Sequence, residues 1–166
     1  MTDLRLKIDA PIVPNQSLGG LSLRTSIISI QDLVMELQTE YLISERKLFS
    51  LPSPFEAKYK FKDEKITVCV DVRNGKIYQL TALPGYEGLL FDRIYVGMKV
   101  SDAMSLEPNL YYDEAMEIIR CKGCLGLAID TNEIDPPPKL VPQMLIQAIN
   151  VYAEEAFTPA GNRGQW

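Results

Sequence analysis

Apolar and polar positions alternate through Leu4-Arg5-Leu6-Lys7-Ile8, and a period of two predicts a strand. A turn follows through Pro14, Asn15, Gly19 and Gly20, and Leu21-Ser22-Leu23 is a second short alternating piece. The period then changes. Ile30, Leu33, Val34, Leu37 and Tyr41 recur at helical spacing and share one face, with Ser26 or Ser29 available as the N-cap. Residues 46–54, with Ser50, Ser53, Pro52 and Pro54, read as a loop. Alternation returns over residues 57–61, 65–72 and 76–83, the last two joined by Asn74-Gly75, a pair suited to the positive φ of a tight hairpin turn.

The pattern then restarts. Ile94-Tyr95-Val96 aligns with Leu21-Ser22-Leu23, and Val100 with Ile27, at an offset of 73. The second half predicts a helix broken near Pro108 and resumed over residues 113–120, then a strand over residues 126–130. A loop through Asp135, Pro136, Pro137 and Pro138 comes next. Residues 145–151 match residues 77–83 at an offset of 68. Met144, Ala148, Val151 and Ala156 also fit one helical face, but the repeat selects a strand. The expected fold is α+β: two tandem similar units, each a helix packed on a small antiparallel sheet. Residues 1–87 form the first unit with its N-terminal strand, residues 88–157 the second, and residues 158–166 a loose tail.

Composition supports a packed core, at 46% hydrophobic and 23% charged residues. No apolar run approaches the roughly 20 residues a bilayer requires, and the opening residues lack the apolar core of a signal peptide. A cytosolic location is the expectation. Cys69, Cys121 and Cys124 are too few and too oddly numbered for a disulfide framework, so reduced thiols are expected.

Charge is unevenly placed. Residues 1–100 carry 13 Lys+Arg and 12 Asp+Glu, a net of +1, whereas residues 101–166 carry 4 and 10, a net of −6. Such a surface repels nucleic acid and attracts a basic partner. The plainer reading, that the acids keep the chain soluble, stands beside it with equal weight.

There is no histidine, which removes Ser-His-Asp and Cys-His catalysis and His metal ligation. Cys121-Lys122-Gly123-Cys124 has the spacing of a thiol redox pair or half a zinc site. It lacks a second ligand pair and precedes a strand rather than opening a helix, so a structural role is the stronger reading. The glycine-rich pieces match neither a phosphate loop nor a dinucleotide fingerprint. No catalytic residue, cofactor or metal is expected. Asp113, Glu114 and Glu117, read as one helical stretch, make a solvated acidic face or a docking surface for a cationic partner. Tyr111 and Tyr112 adjoin it, and Tyr152 and Phe157 adjoin Glu154 and Glu155. Tyrosine among carboxylates is common at protein interfaces. With Asp130, Glu133 and Asp135, these residues other than Phe157 form the candidate partner-binding set.

Three stretches carry a family resemblance: Ser17-Leu18-Gly19-Gly20-Leu21-Ser22-Leu23, the run from Tyr86 through Gly97-Met98, and the hairpin around Asn74-Gly75. Their arrangement resembles bacterial immunity proteins of polymorphic or contact-dependent toxin systems. The helix-then-sheet step after Gly97-Met98 is also similar to the units of small barrel-assembly lipoproteins. The first resemblance implies a cytosolic antitoxin that binds one protein toxin, through a basic face of that toxin, and blocks its active site. No nucleic acid or membrane partner is implied. The alternatives from other classes are a small redox enzyme using Cys121 and Cys124, and a structural adaptor.

Overall fold

The computed structural model describes residues 6–44 and 46–166. A two-stranded ribbon of β1 (Ser17–Leu18) and β2 (Leu21–Ser22) opens it. Gly19 and Gly20 between them sit at φ of 67° and 80°, the left-handed pair that a two-residue hairpin turn needs. A 3-10 turn (Ile27–Ile30) follows, capped by the Oγ of Ser26, which accepts from the Ile28 amide at 3.3 Å. It leads into α1 (Gln31–Ser44). The predicted face forms: Ile30 and Leu37 are buried, Leu33 and Val34 half-buried, and Tyr41 lies at its exposed margin.

Two antiparallel meanders follow. The first is β3 (Phe49–Ser53), β4 (Glu56–Phe61), β5 (Ile66–Asp71) and β6 (Lys76–Ala82). After α2 (Val100–Leu106) comes the second: β7 (Leu110–Asp113), β8 (Ile118–Cys121), β9 (Leu127–Thr131) and β10 (Ile146–Tyr152). They join into one eight-stranded sheet of order β3-β4-β5-β6-β10-β9-β8-β7, with Thr81 opposite Asn150 at the seam.

This overturns the expected pair of helix-on-sheet units. The chain is mainly β, one large antiparallel sheet plus the ribbon. Separate meanders would leave β6 and β10 as edges with unpaired N–H and C=O groups; pairing them with each other removes both edges. Nor is α2 a sheet-covering helix: it has seven residues and buries only Val100 and Ala103.

Other expectations are corrected locally. Residues 113–120 are not a helix but the β7–β8 hairpin. Asp113 Oδ1 accepts from the amides of Ala115 and Met116 at 3.1 and 3.3 Å, and Glu117 takes φ 57°. A side chain that bonds its own following backbone competes with the helix. The loop expected over residues 46–54 contains β3, whose Pro52 is tolerated because the strand is an edge. Of the strand expected over residues 4–8, Leu4 and Arg5 lie outside the described residues. Leu6, Lys7 and Ile8 are not in a strand; the Lys7 amide donates to Gly19 O at 2.9 Å. The strand expected over residues 145–151 forms as β10, and the helical alternative does not.

Residues 158–166 were expected to be loose, yet they close onto the β5–β6 hairpin. Trp166 Nε1 donates to Asp71 Oδ2 at 2.9 Å, and Arg73 Nη1 donates to Asn162 O at 2.6 Å. Asn74 Nδ2 donates to Gly164 O at 3.3 Å.

The sheet has two unlike faces. One carries Ile66, Val68, Val70, Ile77, Leu80, Ile119, Leu127, Ile129, Ile149 and Val151, all buried in a core that includes the ribbon residues Leu18 and Leu21 together with Leu37, Leu90, Ile94 and Val100. The opposite face is polar and, among the described residues, carries no α-helix. The segment after β10 reaches it through Phe157 and Trp166. Among the described residues, no helix is long and apolar enough to cross a membrane.

Candidate functional site

The strand register puts Thr67, Gln79, Thr81, Asn150, Ala128, Asp130 and Arg120 on the polar face. At its centre lies a network across the seam. Thr81 Oγ1 donates to Asn150 Oδ1 at 2.7 Å, and Gln79 Nε2 donates to the same oxygen at 3.2 Å. Asn150 Nδ2 in turn donates to Asp130 Oδ2 at 2.8 Å and to Ala128 O at 3.2 Å. Asn150 is 9% exposed and uses its full capacity of two donated and two accepted bonds. A buried amide so engaged has one available rotamer, and it fixes Asp130 in turn.

Beside this network is a cleft of about 380 Å³, walled by Met116, Ile118, Ala128 and Phe157 and lined by Gln79, Arg120, Asp130, Asn150, Tyr152 and Glu154. Phe157, 55% exposed, stands 5.0 Å from the Tyr152 ring and 6.0 Å from the Tyr78 ring, both edge-on. It separates this cleft from a smaller one of about 160 Å³ around Glu56, Asp71, Arg73 and Tyr78. Arg120 lies 3.6 Å from Asp113. Asp130 and Glu154 against Arg120 give the cleft lining a net charge of −1, and Asp113, outside the lining, pairs with Arg120.

The rim is held by a latch from the N-terminal segment. Glu154 Oε2 accepts from the Gly126 amide at 2.9 Å. Gly126 has φ 64°, and a Cβ there would meet Tyr152 O at 2.3 Å and Asn15 Cα at 2.7 Å, so only glycine fits. Arg24 pairs with Glu155 and donates to Asn15 O and Oδ1, both at 2.7 Å. That hydrogen bond to Arg24 holds the Glu155 carboxyl below its ordinary pKa. The latch fixes the short 3-10 turn (Glu154–Phe157) that presents Phe157.

The candidate residues are thus divided. Asp130, Tyr152 and Glu154 line the cleft. Asp113 and Tyr111 lie on the same face at the edge strand, where Asp113 also organises its turn and Tyr111 has Lys122 Nζ 5.9 Å from its ring centroid. Tyr112 points to the core side, with its hydroxyl 3.5 Å from Pro136 O. Glu114 and Glu117 occupy the β7–β8 turn, and Glu133 and Asp135 the β9–β10 connection, all exposed and outside the cleft. Glu155 belongs to the latch. Sequence reasoning missed Gln79, Thr81, Arg120 and Asn150. One signal was present: Asn150 interrupts an otherwise apolar inner stretch, Ala148-Ile149-Asn150-Val151.

Cys121 and Cys124 flank a turn after β8, and Gly123 supplies its φ of 74°. Burial raises the pKa of Cys121, and burial pushes Cys124 up to about 11. Both are therefore poor thiolates at neutral pH. Among the described residues, no group of three or more Cys, Asp or Glu is placed to hold a metal ion. A further groove of about 350 Å³ lies between α1 and the β3–β4 edge, lined by Val34, Leu37, Tyr41, Leu48, Phe49 and Tyr59.

No family model matches the chain, and no curated protein is similar to it. The fold is similar to the crystal structure of the uncharacterized protein yfeY from Escherichia coli, with a TM-score of 0.51 and 13% identity, over 84% of this chain and 98% of that one. At that identity the likeness defines a shared architecture and says nothing of activity.

Proposed function

We propose that the chain is a binding protein that docks a basic protein partner on the polar face of its sheet. Within that class we read it as a cytosolic immunity protein that neutralises a cognate toxin domain by occluding the toxin's active site. The observation that carries the reading is the cleft: a hydrogen-bonded floor, the exposed Phe157 ring beside Tyr152 and a net acidic lining, on a sheet face that no α-helix among the described residues covers. Binding sites take this form when a few fixed polar groups set orientation and aromatic side chains supply contact area. The net of −6 over residues 101–166 supports a cationic partner and its electrostatic steering. The raised thiol pKa values of Cys121 and Cys124 weigh against the redox alternative.

The test is co-expression with the toxin domain encoded beside its gene, read as cell survival and as a stoichiometric complex on gel filtration. Protection that is lost in Tyr152→Ala with Asp130→Arg, while the fold persists, supports the reading. A neighbouring toxin that neither binds nor is inhibited overturns the immunity function. A complex that forms without inhibition favours the adaptor.

A further inference from the structure

We infer that the recognised group is an arginine side chain of the partner, its guanidinium seated in the cleft against Asp130 and the rings of Tyr152 and Phe157. The inference rests on the binding-protein reading and specifies the chemistry of its site.

Three observations converge on a planar cation. First, Asp130 is held from one side only. Oδ2 accepts from Asn150, and among the described residues Oδ1 has no hydrogen bond and the carboxylate no ion pair. Second, the Gln79 amide donates through Nε2 to Asn150 and Thr81, which leaves Oε1 as an acceptor on a residue that lines the same cleft. Two acceptors on β6 and β9, the strands that flank β10, both oriented by Asn150, suit the fork of N–H donors that a guanidinium offers and a compact ammonium does not. Third, Tyr152 and Phe157 meet edge-on at 5.0 Å and form an aromatic corner on the cleft wall. A guanidinium stacks on such rings, with attraction strengthened where water is excluded.

Charge agrees. Among the described residues Arg120 is the one cation lining the cleft, and Asp113 offsets it at 3.6 Å, so the field is set by Asp130 and Glu154. An anionic group would meet two carboxylates. An apolar side chain would desolvate Asp130 and offer its Oδ1 no partner. The volume of about 380 Å³ accommodates a long side chain and water together.

The test titrates the ¹⁵N-labelled chain with three short blocked peptides, acetyl-Gly-Arg-Gly-amide and its lysine and citrulline counterparts, following the side-chain amide resonances of Asn150 and Gln79. The arginine peptide is expected to saturate at millimolar concentration, and the other two to bind at least fivefold more weakly. Asp130→Asn should weaken it about tenfold, and Phe157→Leu about threefold. The second variant leaves the hydrogen-bond network untouched, so it reads the site even if the first perturbs folding. Equal binding of the lysine or citrulline peptide, shifts confined to residues outside the cleft, or no effect of either variant would overturn the assignment. A toxin that still docks on the polar face after such a result would leave the binding-protein reading standing, because the two failures are read in separate experiments.

Discussion

Thr81 on β6 donates its hydroxyl to Asn150 on β10 at 2.7 Å, directly across the seam where the two meanders become one sheet. The seam is therefore closed twice, by the backbone ladder and by a buried side-chain bond between residues 69 positions apart. Removing only Asn150 leaves Thr81, Gln79 and Asp130 without their shared partner. Asn150→Leu is expected to cost about 1–3 kcal/mol. Combining it with Thr81→Val should recover part of that loss, because an apolar pair leaves no orphaned hydroxyl. Urea denaturation of the two single variants and the double variant measures the coupling; strict additivity would contradict it.

The tail reports on acid. Burial of Asp71 works to raise its pKa, but the hydrogen bonds from Arg73 and Trp166 outweigh it, and the net shift is downward. A carboxyl with a lowered folded pKa contributes stability that is complete above its unfolded value, roughly 3.9, and is lost as pH falls through the folded one. Trp166 is the sole tryptophan, so its fluorescence reads the clamp directly. Emission should stay constant from neutral pH down to about pH 4 and move toward that of a solvated indole below it. Asp71→Asn should show part of that shift already at neutral pH.

Much of this architecture was legible locally and little of it globally. The alternation of residues 57–61, 65–72 and 76–83 located β4, β5 and β6 because one side of each strand is core and the other polar. A repeat was inferred, but the offset of 68 aligns Thr81 with Ile149, which points to the opposite face of the sheet. The seam instead sets Thr81 against Asn150, so an odd offset is required. Residues 113–120 misled because Asp113, Glu114, Ala115, Met116 and Glu117 are acceptable in a helix; the Asp113 side chain and the left-handed Glu117 decide for a turn. Within the cleft, the acidic and aromatic members were picked out by type. Gln79, Thr81 and Asn150 carry no such signature, and only the register brings them together.

Glycine 126 is a structural requirement of the rim. Gly126→Ala forces a Cβ to 2.3 Å from Tyr152 O at φ 64°. It should cost about 2 kcal/mol or more, the strain of a left-handed alanine plus the displaced backbone. Gly123→Ala is the control: its φ is 74°, but nothing lies within 4 Å of the added Cβ. It should cost only the strain, about 1–2 kcal/mol. Thermal melting distinguishes them, and equal losses would contradict the close approach.

The cysteine pair is expected to be dispensable. Cys121→Ser with Cys124→Ser should retain the fold and the affinity for the partner. Loss of protection while the fold persists, or stoichiometric zinc in the purified protein, would restore a chemical role to the pair.

The central proposal, that the polar sheet face receives a basic protein partner, is tested most directly by the affinity of the proposed toxin domain, purified, for two surface variants. One is Tyr152→Ala with Asp130→Arg in the cleft; the other is Met35→Ala with Leu42→Ala on the exposed apolar side of α1, where these residues are 56% and 73% exposed. Calorimetry should show at least a hundredfold loss of affinity for the first variant, about 2.7 kcal/mol, and less than a threefold change for the second. Unchanged binding by the cleft variant, with loss in the α1 variant, would place the interface on the exposed side of α1 and contradict the account.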